Sequence, residues 1–296
     1  MASQQRASIG WARSQQASLP QGTVVTLVVA TCLASAAFAA TKEYRYTVGP
    51  HANISVDTQY GAISVKPGSD NEVVVTATIK SDNVEVDQQQ TGNRIEIASH
   101  LLQGTDQRTG QVDYELLIPP DATVNLRSSN GPLSAERLHG DLTLEGAEAV
   151  VSVRNIDDAH VHARTMRGPI TLINVHNGHV EVASISGEIH LNSVTGLLVQ
   201  ASSGSGRIFY DGDFGSGGDY RFITHSGDIE ALVPADVSAG FRAHSMLGRV
   251  QHDFPLKPRH SRFHEEVGRS FIGTTGQASS EVVLRSFSGR IRLKQR

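Results

Sequence analysis

One ten-residue pattern returns eight times along this chain: an apolar residue, four positions, a small residue (usually Gly), one position, apolar, one position, apolar. It reads VDTQYGAISV from Val56, LRSSNGPLSA from Leu126, ARTMRGPITL from Ala163, VASISGEIHL from Val182, ASSGSGRIFY from Ala201, FITHSGDIEA from Phe222, AHSMLGRVQH from Ala243 and LRSFSGRIRL from Leu284. Gly168, Gly187 and Gly206 are 19 apart, and Gly206, Gly227 and Gly248 are 21 apart. Half-units lie between, so small residues stand at 131, 140, 149, 159, 168, 178 and 187, in steps of nine or ten. A fixed period of this length is the mark of a stacked repeat architecture.

Each half-unit alternates apolar and polar residues, which is the period-2 signature of a strand with one buried face. In Gly178-His179-Val180-Glu181-Val182 the valines point inward and His179 and Glu181 outward. Glycine at each turn serves a positive φ or a close approach of neighbouring coils. Two strands per coil of about 19–21 residues, stacked about 4.8 Å apart, give an all-β solenoid. A left-handed β-helix needs an apolar residue every six positions. Calcium-binding nonapeptides need repeated G-G-x-G-x-D. This chain has neither.

Residues 126–296 are predicted to form the solenoid, with a loop insertion at about 252–279 that is rich in His, Arg and Pro. Residues 40–125 are less regular and are expected to cap and begin the stack, with loop tips between Gln88 and Gln111. The last unit ends RIRLKQR, basic residues suited to guarding an exposed edge strand. Ahead of all this, Thr23 to Ala40 reads TVVTLVVATCLASAAFAA, an apolar run after the basic Arg6 and Arg13, with a small-residue site at Ala37-Phe38-Ala39. Residues 1–39 thus read as a signal peptide cleaved after Ala39, and the protein as exported to the periplasm, the outer surface or the medium. An uncleaved segment would be its one membrane contact. Thr31 before Cys32 is bulkier than the small residue a lipid-attachment site prefers, and apolar residues continue past it. Cleavage removes Cys32 and Trp11, the only residues of their types, so disulfide and thiol chemistry drop out. It also leaves 24 of the 26 basic residues against 30 acidic ones, which disfavours a nucleic-acid partner.

With V-D-Y-E-L-L-I-P at Val112 to Pro119, the following LRSSNGPLSAERLHGDLTL and the serial S-G-x-I-x-L units up to Leu293, the chain resembles the bacterial putative-adhesin family of exported β-solenoid domains. The likeness runs from about Glu43 to Leu293. It implies a non-catalytic envelope or surface protein that binds a protein, glycan or matrix component, with no catalytic residues and no cofactor to carry over.

Chemistry read from the residues themselves is sparse. All 13 histidines follow the leader. If coils advance by 19, His160 and His162 share an outer face with His179 and Glu181, and the four are candidate ligands for a transition metal such as Zn²⁺. The alternative is a solvated polar ladder. His260, His264, Glu265 and Glu266 fall in the insertion, where Gly268 replaces the second His of a zinc-protease motif. Gly204-Ser205-Gly206 lacks the spacing of a nucleophile elbow. Outward Asp141, Glu181, Glu188, Asp228 and Glu230 leave open a polysaccharide-cleaving enzyme, which needs a close carboxylate pair. Phe209, Tyr210, Tyr220 and Phe222 are the one local concentration of rings that a sugar could stack on, although two of them are simply explained as core. A self-assembling spacer joined through exposed edges is a third reading.

Overall fold

The computed structural model describes residues 40–81, 83–102, 110–253, 256–258 and 268–296. The leader, with Arg6, Trp11, Arg13 and Cys32, lies outside the described residues, and so do His260, His264, Glu265 and Glu266. The described residues form 23 strands and no helix. The first seven are β1 (Ala40–Thr47), β2 (Asn53–Tyr60), β3 (Ile63–Pro67), β4 (Glu72–Ile79), β5 (Val84–Thr91), β6 (Arg94–Leu101) and β7 (Val112–Ile118). The next seven are β8 (Thr123–Asn130), β9 (Leu133–Glu136), β10 (Leu142–Gly146), β11 (Val151–Asp157), β12 (His160–Thr165), β13 (Ile170–Ser184) and β14 (Ile189–Ser203). Then come β15 (Ile208–Asp211), β16 (Asp219–Thr224), β17 (Ile229–Val233), β18 (Ala239–Ser245) and β19 (Val250–His252). The last four are β20 (Lys257–Pro258), β21 (Ser270–Thr274), β22 (Ser280–Ser286) and β23 (Ile291–Gln295).

The strands fall into two mostly parallel ladders that face one another across the core. The first runs β6–β2–β8–β10–β12–β13–β14–β16–β22–β18. The second runs β7–β3–β9–β11–β13–β14–β15–β17–β23–β19. Strands β13 and β14, 15 residues each, bend through an irregularity near Gly178 and belong to both. This is the predicted two-strand coil. Alternation places every second side chain inside, so Val180 and Val182 are buried while His179 and Glu181 are exposed. Antiparallel strands finish the stack: β5 on β6, and β1 on β4 on β7, at one end; β21 and β20 beyond β18 at the other. The polar exposed edge of β5, with Asp87 and Gln88 to Gln90, discourages further pairing.

Coil order departs from chain order at both ends. Strands β2 and β3 lie between β6/β7 and β8/β9, so residues 40–125 contribute two full coils to the stack as well as its cap. The last coil, β22/β23, is inserted between β16/β17 and β18/β19. Two sequence expectations are corrected here. Gly227 and Gly248, 21 residues apart, are not neighbours, because Gly289 sits between them. The RIRLKQR strand does not guard an edge, because β23 is paired on both sides. The insertion makes this path possible: β20 and β21 form an antiparallel hairpin on the outer edge of β18, after which the chain returns past Gly217 and Gly218.

Each unit closes with a hydroxyl residue three positions before its glycine. Thr58, Ser128, Thr165, Ser184, Ser203, Thr224, Ser245 and Ser286 are all buried and line one inner edge. Ser184 Oγ accepts the Gly187 N–H at 2.8 Å and the Thr165 hydroxyl at 3.1 Å. The same turn recurs as Gly206 N to Ser203 Oγ, Gly248 N to Ser245 Oγ and Gly289 N to Ser286 Oγ. Where Ala149 replaces the glycine, Gly146 replaces the hydroxyl; a Cβ on Gly146 would lie 2.3 Å from that of Ala149. Ser184→Ala is expected to leave the Gly187 amide unsatisfied and to cost about 1–3 kcal/mol in urea unfolding followed by circular dichroism. A cost near zero would show that the ladder is ornamental.

Candidate interaction surfaces

The parallel register sets the four metal candidates on the outer face of the first ladder, in two facing pairs. His160 is opposite His179, with ring centroids 4.8 Å apart, and His162 is opposite Glu181, with Nδ1 3.6 Å from Oε2. The pairs are two residues apart along the strand, about 6.6 Å. His160 also faces Asp141, at 3.3 Å from Nδ1, and its amide donates to the same carboxylate. Among the described residues no three His, Cys, Asp or Glu side chains gather to hold a metal ion. Zn²⁺ titration is therefore expected to give equally weak uptake by the wild type and by a His160→Ala, His179→Ala variant. Tight uptake lost in the variant would instead establish a centre on this face.

The outward carboxylates are each occupied by a base. Asp141 faces His160, Glu181 faces His162, Glu188 lies 3.0 Å from His190, and Asp228 lies 3.3 Å from Arg290. Glu230 binds Lys294 at 2.6 Å and Arg207 at 2.5 Å. The Lys294 hydrogen bond outweighs partial desolvation and holds the Glu230 carboxyl below its ordinary pKa. A glycosidase acid needs the opposite displacement.

The ring cluster is core. Tyr210, Tyr220 and Phe222 are fully buried and pack with Phe214, and the Tyr210 ring lies 4.9 Å from that of Phe222. Their hydroxyls are spent on backbone: Tyr210 donates to Val194 O at 2.8 Å and Tyr220 to Gly196 O at 3.1 Å. Burial raises the pKa of both. Only Phe209 of the four points outward. Ser205 sits at a turn tip, its amide donating to Ile185 O, with none of the context of a nucleophile elbow.

A surface that the repeat reading passed over lies at these tips. Between each hydroxyl and its glycine stand two residues whose backbones bond from coil to coil: Ser186 N to Met166 O, Ser205 N to Ile185 O, Ser226 N to Gly204 O, Ser288 N to His225 O and Leu247 N to Phe287 O. Met166, Ile185, Phe287, Met246 and Leu247 on this ridge are 42–60% exposed, and the His225 and Phe287 rings stack 4.8 Å apart, 5° from parallel. The signal was present in the sequence, in T-M-R-G, S-I-S-G, S-M-L-G and S-F-S-G. Singly scattered exposed apolar residues need no explanation; here they recur at the same turn position of successive coils, interrupted at Gly204 and Ser205.

Compared with known proteins, residues 51–294 match the model of the family described as Toastrack DUF4097. No curated protein matches. Three solved structures illustrate the likeness. A putative adhesin from Bacteroides fragilis is 12% identical over 86% of this chain and 96% of its own, with a TM-score of 0.47. One from Parabacteroides distasonis is 10% identical over 88% and 98%, with a TM-score of 0.40. A putative cell adhesion protein from Clostridium sporogenes is 12% identical over 86% and 100%, with a TM-score of 0.27.

Proposed function

The chain belongs to the Toastrack DUF4097 family, and from that premise we propose that it is a non-catalytic, exported protein of the cell envelope that binds a partner through the outside of a rigid solenoid. The observation that carries this reading is the turn-tip ridge of Met166, Ile185, His225, Phe287, Met246 and Leu247. Folding needs no apolar side chains at these tips, since the turns are held by backbone and hydroxyl bonds. The inward side chains are consumed by the core, and each of the five outward carboxylates has a histidine, arginine or lysine against it. The apolar segment ending at Ala37-Phe38-Ala39 supports export.

Protease treatment of intact cells carrying a C-terminally tagged copy, with the mass of the mature chain, tests the proposal. Cleavage after Ala39 and loss of the tag from intact cells are expected. A tag protected both in intact cells and after the outer layer is opened, on a chain that retains its leader, would overturn export. Hydrolysis of envelope polysaccharide by the purified protein, lost in Glu188→Gln or Glu230→Gln, would overturn the non-catalytic reading.

A further inference from the structure

The two edges of the flattened stack, where one ladder turns into the other, differ in charge. Six consecutive coils place their turn tips at Met166, Ile185, Gly204, His225, Phe287 and Met246, in that order along the stack. On the first-ladder side the outward row nearest these tips reads Arg164, Ala183, Ser202, Ile223, Arg285 and His244. On the second-ladder side the residues after the glycines are Pro169, Glu188, Arg207, Asp228, Arg290 and Arg249, joined from coil to coil by backbone bonds. Arg167 stands at the first tip and meets Glu148 of the coil before. Tips and both rows thus hold six arginines against Glu188 and Asp228, or against three carboxylates with Glu148. The next rows out add Arg221, Arg242 and Arg292 against Glu181 and Glu230, so the excess is not cancelled along either face. Arg164, Arg249 and Arg285 are exposed and form no ion pair among the described residues. The opposite edge is acidic: Asp211, Asp213, Asp219, Asp236, Asp253 and Glu281 outnumber Lys294 and Arg296.

The basic edge is also the one crested with apolar side chains. Met166, Ile185, Phe287, Met246 and Leu247 stand on it, and Ile223, one row in, is 43% exposed. Gly204 and Ser205 divide the crest into two groups, the larger of them beside Arg249 and Arg285. Over five coil spacings the crest runs roughly 24 Å. Turn tips project from the narrow side of the stack, so the crest is convex. A rigid protein partner finds no recess to fill on such a ridge, whereas a fluid surface closes around it. Apolar tips set among unpaired arginines supply the two signals of an interfacial membrane contact: side chains that enter the acyl boundary and cations that meet anionic headgroups. With this edge against a negative surface, the acidic edge faces away from it.

We propose that this edge lies against a membrane surface containing anionic lipid, with the tips from Met166 to Leu247 in the headgroup boundary and Arg164, Arg249 and Arg285 at lipid phosphates. The contact is independent of the leader. The inference rests on the reading of the protein as a non-catalytic binder of the envelope and names the partner. The chain from Ala40, which holds every described strand, would be floated with two kinds of vesicle: phosphatidylcholine alone, and phosphatidylcholine with about one-third phosphatidylglycerol. Flotation with the mixed vesicles and not with the neutral ones is expected, weakening as salt screens the contact. Arg249→Glu, Arg285→Glu should weaken association about tenfold or more, since two attractions become repulsions. Met246→Ser, Leu247→Ser should weaken it severalfold, and Arg137→Glu, Arg154→Glu, the same charge change away from this edge, should leave it intact. The only tryptophan of the sequence is Trp11, so Leu247→Trp gives the chain from Ala40 a single reporter, whose emission should shift to the blue on the mixed vesicles. Circular dichroism melts of all variants separate lost binding from lost folding. Equal flotation with both vesicles, insensitivity to Arg249 and Arg285, or an unshifted tryptophan on bound protein would overturn the inference. Absence of flotation would do the same and return the crest to a protein partner. Because the cell-surface experiment reads location alone, failure here with the tag still shaved from intact cells sinks the lipid assignment and leaves the broader proposal standing.

Discussion

Replacing Gly187 by valine is expected to destabilise the fold by about 3 kcal/mol or more, at the upper end of what overpacking costs. An ideal Cβ at this position would stand 2.0 Å from Gly168 O and 2.6 Å from Gly168 C. These are backbone atoms of the next coil, and they cannot rotate away as a side chain could. Relief requires the coils to separate, which would also stretch the Ser184 turn and the ladder bonds on either side. The same contact repeats at Gly206, Gly227, Gly289 and Gly248, where the carbonyl of the next coil would be 1.9–2.1 Å away. None of these five takes a positive φ, so their role is close approach. Gly217 is the control: its φ is +80°, nothing lies within 4 Å of an added Cβ, and Gly217→Ala should cost only about 1 kcal/mol from backbone strain. Urea melts followed by circular dichroism compare the two. Equal losses would defeat the close-approach account.

A chain ending at Ser279 should lose cooperative unfolding altogether. In a solenoid whose final coil is an edge, trimming it removes one nearest-neighbour interface and leaves the rest standing. Here β22 and β23 bury Val282, Leu284, Ile291 and Leu293 between two coils. At about 1.5–3 kcal/mol for each side chain, the deletion removes roughly 6–12 kcal/mol, comparable with the whole stability of an ordinary domain. It also strands β18 and β19, whose partners on the inner side are these same strands. Thermal melting by circular dichroism and hydrogen exchange would report the change. A sigmoidal transition at an almost unaltered midpoint would show that the final coil is dispensable.

How far the sequence reached follows from the range of each signal. Alternation and the step of nine or ten residues are local, so they carried the strands, the buried Val180 and Val182, the exposed His179 and Glu181, and the facing of His160 with His179. The order of coils at the ends is a non-local choice. The coils at this end present the same parallel edge, the same glycine and the same hydroxyl, so a spacing of 21 between Gly227 and Gly248 cannot exclude a third coil arriving from residues 280–296. The four positions before each glycine were read as a spacer. They hold both the buried hydroxyl and the exposed tip, and their chemistry goes unseen until the turn places one inside and two outside. Strand parity counted from Gly206 puts Ile208 and Tyr210 inside and Phe209 outside, and three of the four rings are core where two are expected from the sequence.

The interleaved C-terminal coil has a mechanical consequence. A terminal strand on the rim of a sheet peels off one hydrogen bond at a time. Tension on Arg296 instead reaches β23 lying between β17 and β19, with β22 behind it clamped by β16 and β18. Pulled along its own axis, such a strand must slide against two neighbours at once, and all of its bonds share the load before any one gives way. The tail that looks from its sequence like the loosest part of the stack is therefore held on both sides.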